Sequence, residues 1–153
     1  MYDKETVRNT NKLFYTSFGR YISGFKSSNG SKIKWINYDT GIKGIFVRIN
    51  ANQQNAIVSI DVQHKDADIR ELQYEQFLQL KPIFSNCSET DWSWNENFTN
   101  ANNISFPRIY SILPQFNIYE KSQWKLAFEF YKKALLHFDV FWCDYKELFL
   151  QLQ

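Results

Sequence analysis

The sequence contains 153 residues, of which 44% are hydrophobic and 22% charged, with five glycines and three prolines. This composition is typical of a folded globular protein and excludes collagen-like, low-complexity and disordered chains. No apolar run approaches the ~18 residues of a membrane-spanning helix, and the polar first residues differ from a secretory signal. We therefore expect one domain over residues 1–153 in the cytoplasm, away from membranes, with the two cysteines as reduced thiols.

The first third of the chain predicts a helix followed by three strands. Apolar residues recur at helical spacing over residues 4–22, which predicts an amphipathic helix. After a turn-rich loop, residues 32–38 alternate polar and apolar side chains and predict a strand. Residues 43–50 and 55–64 are rich in Ile and Val and flank Ala51-Asn-Gln-Gln54, which predicts a β-hairpin with a four-residue loop.

The second half of the chain predicts a helix, two strands and a long final helix. Asp66 is a helix-start signal, and Leu72 belongs to the apolar stripe that follows it. Trp92-Ser-Trp94 begins a strand that pairs with residues 104–113, and the final helix starts near Ser122. The complete order, helix, three strands, helix, two strands, helix, predicts an α+β fold with a mixed, mostly antiparallel sheet.

A series of short motifs runs through nearly the whole chain: Trp35-Ile-Asn-Tyr-Asp-Thr-Gly-Ile42, Phe46-Val-Arg48, His64-Lys-Asp66, Tyr74-Glu-Gln-Phe77, Arg108-Ile-Tyr110, Trp124 and Phe138-Asp-Val-Phe-Trp142. In this order the motifs resemble the bacterial domain of unknown function family 4268. That family has no established activity, so the resemblance implies a bacterial relative and does not imply a function.

The order helix, three strands, helix, strand also resembles the core of the PD-(D/E)XK nuclease-like superfamily. An active member would need an acid on the second strand and an acid-X-Lys triplet on the third to hold Mg²⁺ and activate water. The nearest match is Asp61-Val-Gln63, in which glutamine replaces lysine. With the predicted hairpin loop, Asp61 lies opposite Gly44 and the acid Asp39 lies ~17 Å further along the strand. We therefore expect no metal and no cofactor, with Mg²⁺ required only if the protein is an active nuclease.

Basic residues are concentrated near the beginning of the chain. Residues 1–48 hold nine Lys and Arg against three Asp and Glu, a net charge of +6 that leaves −4 for the remainder. Clustered basic side chains bind phosphates by releasing counterions, and an excess of aromatic rings can supply stacking platforms for bases. A solvated basic surface is the alternative. The candidate nucleic-acid-binding residues are Arg8, Lys12, Lys32, Lys34 and Lys43.

Three further positions are candidates for a site or for internal ion pairs. Arg48 and Asp61 share one face of the predicted hairpin, and they form either a ligand-binding surface or an ion-pair network together with Arg108. His64 either acts as a general base or bonds to the start of the next helix.

The sequence leaves three functions open. The first is binding of nucleic acid, or of a nucleic-acid-processing protein, on a nuclease-like core without catalysis of its own. The second is a protein-interaction or structural module that forms a homodimer through the aromatic final helix. The third is a metal-dependent nuclease that uses Asp61, Gln63 and Asp39.

Overall fold

A computed structural model describes residues 2–86 and 90–153, so Cys87 lies outside the described residues. None of the described helices is long and apolar enough to cross a membrane. In chain order the elements are α1 (Lys4–Ile22), β1 (Ile45–Ala51), β2 (Asn55–Val62), α2 (Ala67–Asn86), β3 (Ser93–Thr99), β4 (Ser105–Pro114), a 3₁₀ turn (Lys121–Gln123) and α3 (Trp124–Leu150).

The four strands form one sheet in the order β1-β2-β4-β3, and every neighbouring pair is antiparallel. The predicted α+β class is therefore confirmed, as are both predicted hairpins. The sheet is wholly antiparallel rather than mixed, because the two strands of each hairpin run in opposite directions, and so do β2 and β4.

The inner face of the sheet is apolar and carries the core. Buried Val47 and Ile60 alternate with side chains that point to the other face, as the two-residue period of a strand requires. Phe14 of α1, Phe77 of α2 and Phe138 of α3 belong to the same core cluster. Large rings dominate burial in such a layer, so the aromatic excess of the sequence is used mainly here.

Each of the first two helices begins at an aspartate that bonds to free backbone N–H groups. Asp3 accepts a hydrogen bond from the Thr6 N–H at 2.7 Å, and Asp66 accepts one from the Asp68 N–H at 2.9 Å. The helix start predicted at Asp66 is confirmed. The predicted burial of Leu72 is wrong, because this side chain is exposed and α2 turns its neighbouring residues toward the core.

Residues 32–38 form turns and irregular backbone instead of the predicted strand. Asn37 has a φ of 60°, a left-handed conformation that an extended strand excludes. Trp35 and Tyr38 are both buried, and the Tyr38 hydroxyl donates a hydrogen bond to Asp139 at 2.6 Å. The strand prediction is wrong here because side-chain anchors hold this segment, not a ladder of backbone hydrogen bonds.

The β1–β2 hairpin has a register two residues away from the predicted one. Asp61 pairs with Phe46 rather than with Gly44. The Asn52 side chain accepts a hydrogen bond from the Asn55 N–H at 2.9 Å and closes a tighter turn than the predicted loop. Because the difference is an even number of residues, every side chain stays on the face that the alternation predicts.

Candidate functional site

The outer face of the sheet is not covered by any helix of the described chain. Antiparallel sheets with one solvated face normally carry polar side chains there. This face instead carries exposed apolar groups, among them Phe46, whose exposed fraction is 43%. Its central side chains, which we call the outer-face cluster, are Phe46, Arg48, Asp61, Phe98, Phe106, Arg108 and Tyr110.

A buried carboxylate holds two arginines at the centre of this face. Arg108 donates to both Asp61 oxygens, from Nε at 2.7 Å and from a terminal nitrogen at 3.0 Å. Arg48 donates to the same carboxylate at 2.6 Å and to Gln63 at 2.8 Å. Asp61 has no exposed surface, whereas Arg48 is 44% exposed and Arg108 is 17% exposed. The ion-pair alternative for these residues is therefore what the geometry shows.

Each arginine also lies against an aromatic ring. Arg108 Cζ lies 3.8 Å from the centre of the Phe98 ring, and Arg48 Cζ lies 4.6 Å from the centre of the Phe46 ring. These are cation–π distances, at which the ring face attracts the guanidinium charge. The result is a basic and aromatic surface in which two cations pair with one carboxylate.

A bulge in β3 places Phe98 in this cluster. The β3–β4 register shifts between Asn95, which pairs with Arg108, and Phe98, which pairs with Phe106. Without the extra residue, Phe98 would point to the same inner face as Trp94. The bulge reverses its direction and brings the ring over Arg108.

The geometry of Asp61 does not fit the nuclease alternative. Both carboxylate oxygens bond to guanidinium groups, so a metal ion would have to displace them. Gln63 accepts a hydrogen bond from Arg48, and Asp39 lies away from the sheet in a cavity beside α3. Among residues 2–86 and 90–153, no group of three or more His, Cys, Asp or Glu side chains is arranged to hold a metal.

The nuclease-like core itself is not confirmed. Its element order requires three strands between the first two helices, and the fully described segment between α1 and α2 contains two. The strand that is absent was predicted at residues 32–38, where polar and apolar side chains alternate because some of them anchor the segment to the core.

His64 lies just before the start of α2 rather than in a cluster of catalytic groups. Its Nδ1 accepts a hydrogen bond from the Asp66 N–H at 3.0 Å, and its carbonyl accepts one from Arg70 at 2.8 Å. This arrangement corresponds to the structural alternative for His64.

The predicted basic residues do not form one continuous face. Arg8 and Lys12 share one side of α1, whereas Lys32 and Lys34 border a cavity near the other end of that helix, roughly 17 Å away along its axis. Lys43 lies beside α2, because its carbonyl accepts a hydrogen bond from an α2 side chain. Lysine enrichment in the sequence therefore reflects three separate surfaces.

Three aromatic members of the outer-face cluster, Phe98, Phe106 and Tyr110, were not identified from the sequence. Phe106, Arg108 and Tyr110 occupy alternate positions of a strand that the sequence does predict. Their spacing of two residues was the available signal, because it places all three on one face. For Phe98 there was no such signal, since its direction depends on the bulge.

These features define a two-layer α+β protein in which the three helices of the described residues cover one face of an antiparallel sheet and leave an aromatic, arginine-bearing face open. The chain matches the family model described as "Domain of unknown function (DUF4268)" over residues 10–146, and it belongs to that family. In the other comparisons, neither a curated protein nor a solved structure matches this chain.

Proposed function

We propose that this protein binds single-stranded nucleic acid on the outer face of its sheet. The observation that carries the proposal is the outer-face cluster, in which two arginines are fixed by the buried Asp61 and lie against Phe98 and Phe46. Aromatic rings and guanidinium planes both stack on unpaired bases, and an open four-stranded sheet is a suitable platform for several bases.

The same surface favours unpaired over paired strands. Bases in a duplex present only their edges, so the exposed ring of Phe46 and the half-buried ring of Tyr110 would have no base plane to contact. We expect little sequence preference, because every base has a π-face on which a ring can stack.

The charge of the site predicts weak salt dependence. Two arginines and one aspartate leave a net charge of +1 on the cluster. If one or two phosphates are neutralised, the slope of log K against log salt is about −0.7 to −1.4 for a single strand. Binding should therefore depend mainly on stacking, with a smaller electrostatic contribution.

The experiment is a fluorescence-anisotropy titration of labelled single-stranded and duplex oligonucleotides with wild type and two variants. Phe46→Ala should weaken binding of the single strand by roughly 5- to 150-fold, the effect of losing one stacked base. Arg48→Gln should weaken binding and make the slope of log K against log salt shallower by about the contribution of one phosphate contact.

Matched controls use α3, on the other layer of the protein. Leu126→Ala removes an exposed apolar side chain, and Lys125→Gln removes an exposed positive charge. Neither should change the affinity. The proposal is wrong if Phe46→Ala has no larger effect than Leu126→Ala, or if duplex binds as tightly as the single strand.

Self-association through α3 is a second candidate function, favoured by apolar side chains that α3 leaves exposed. Leu126 is 63% exposed and Val140 is 50% exposed. Val140 also borders a cavity of about 330 Å³ between α2 and α3, with Ile83 on the opposite side. A second copy could bury this patch, although Leu126 lies ~21 Å away along the helix.

Light scattering after size-exclusion chromatography tests this candidate. A dimer that Val140→Asp converts to monomer, while Leu126→Asp leaves it intact, would support contact at the cavity. A wild-type protein that is monomeric at every concentration up to ~100 µM would contradict it.

A further inference from the structure

A cavity of about 470 Å³ lies between the irregular segment before β1 and the last turns of α3. It is on the helical side of the protein and shares no residue with the outer-face cluster. Its volume is within the range of small-molecule sites. Its lining includes Ser27, Lys34, Tyr38, Asp39, Cys143 and Lys146.

A buried carboxylate lies beneath this cavity. Asp139 of α3 is 1% exposed and forms no ion pair with a basic side chain in the described part of the chain. It accepts hydrogen bonds from the Tyr38 hydroxyl at 2.6 Å, the Ser27 hydroxyl at 3.0 Å and the Ser28 N–H at 2.7 Å. The Cys143 thiol lies 3.9 Å from the same carboxylate.

These bonds determine what the floor of the cavity offers to a ligand. The Ser27 and Tyr38 hydroxyls each donate their hydrogen bond to Asp139. Toward the cavity, their oxygens can therefore act only as acceptors. Burial, and then the hydrogen bond to Asp139, raises the pKa of Tyr38, so the phenol stays protonated in this role. A ligand that fits the floor must therefore carry an N–H or O–H donor.

The rim of the cavity carries two ammonium groups. Lys34 comes from the irregular segment and Lys146 from α3. Gly41 has a φ of 73°, and a Cβ at this position would collide with Nζ and Cε of Lys146. Because Gly41 has no side chain, the end of the Lys146 side chain can pack against its backbone. Asp39 is also at the rim, where it accepts a hydrogen bond from the Gly41 N–H at 2.8 Å.

We propose that this cavity binds a nucleoside monophosphate, with the phosphate at the two rim lysines and an N–H group of the base donating to the hydroxyl oxygens of Ser27 and Tyr38. Lysine binds phosphate as a point charge, and Trp142 and Ile33 supply apolar wall for the base. This site is separate from the outer-face cluster and does not depend on the function proposed there.

Cys143 gives the proposal a direct readout, because it is exposed and lines the cavity. The experiment measures the rate at which iodoacetamide alkylates Cys143, by peptide mass spectrometry, with the Cys87 peptide quantified separately. At a nucleoside monophosphate concentration ten times the Kd, alkylation of Cys143 should slow about tenfold. Isothermal titration calorimetry of the same nucleotides supplies the Kd.

Variants separate this proposal from nonspecific anion binding. Lys34→Gln and Lys146→Gln should each weaken nucleotide binding roughly tenfold, while Lys32→Gln in the same segment should not. Tyr38→Phe keeps the ring and removes the acceptor, and it should weaken nucleotide binding without changing the circular dichroism spectrum. Equal protection by inorganic phosphate or by a free amino acid would overturn the proposal, as would unchanged alkylation of Cys143.

Discussion

Two buried aspartates, one on each layer of the protein, are stabilised in opposite ways. Asp61 lies under the outer face of the sheet, and its charge is matched by two guanidinium groups. Asp139 lies within α3 and accepts its hydrogen bonds from two hydroxyls and a backbone N–H, with no cation among its described partners.

The difference shows that a buried carboxylate can be stabilised by ion pairs or by hydrogen bonds from neutral groups, and that each leaves a different surface. Burying a carboxylate is unfavourable unless it is paired or well hydrogen-bonded. The carboxylate stabilised by ion pairs places cations on the protein surface, where they can meet a polyanion. The carboxylate stabilised by hydrogen bonds accepts them from neighbouring hydroxyls, whose oxygens remain as acceptors facing a cavity. One layer therefore offers positive charge, and the other offers oriented acceptors.

The largest expected effect comes from Asp61→Asn. This change leaves Arg108, which is only 17% exposed, without a charged partner, and it should lower the free energy of unfolding by roughly 3 kcal/mol. Urea denaturation followed by circular dichroism measures the loss. Asp144→Asn, on the exposed side of α3, should stay within about 0.5 kcal/mol of wild type. A loss below 1 kcal/mol for Asp61→Asn would mean that the ion pair is not important for stability.

Asp139→Asn should cost less, about 1–2 kcal/mol, because it leaves no cation unpaired. The amide oxygen can still accept some of the bonds from Ser27, Ser28 and Tyr38, while the amide NH₂ cannot. The same denaturation experiment compares the two matched substitutions. If Asp139→Asn destabilises the protein more than Asp61→Asn does, the contrast between the two aspartates is wrong.

Arg48→Gln should have a smaller effect still, about 0.5 kcal/mol, because this arginine is 44% exposed and water screens its charge. Its ion pair should also weaken at high salt. Arg108→Gln is the matched comparison and should cost several times more. Equal losses for the two arginines would show that exposure does not separate their roles.

The smallest effect concerns alkaline pH at the Asp139 cavity. Burial and the bond to Asp139 raise the pKa of Tyr38 above the usual value near 10, so unfolded chains release this proton at a lower pH than the folded protein does. The free energy of unfolding should therefore fall as pH rises past about 10. Tyr38→Phe should show a shallower fall above about pH 10. Parallel curves for the two proteins would contradict this assignment.

The sequence placed Arg48 and Asp61 on one face, with an ion pair as one of two alternatives, because strand alternation is a local rule. Arg48 and Asp61 alternate with buried Val47 and Ile60 on two predicted strands, and the observed register keeps them on one face. An error of two residues in the turn left this conclusion unchanged, since it is even. The same rule failed for residues 32–38, where alternation arises from separate side-chain anchors.

Family membership, the α+β class and the inner and outer faces of the first hairpin were determined by the sequence alone, because motif order and a two-residue period are properties of neighbouring residues. Tertiary structure decided the rest. The direction of Phe98 depends on a bulge set by pairing between β3 and β4, and Asp139 meets Ser27 across 112 positions of sequence. Contacts at that separation follow from how helices pack on a sheet, which local periodicity does not encode.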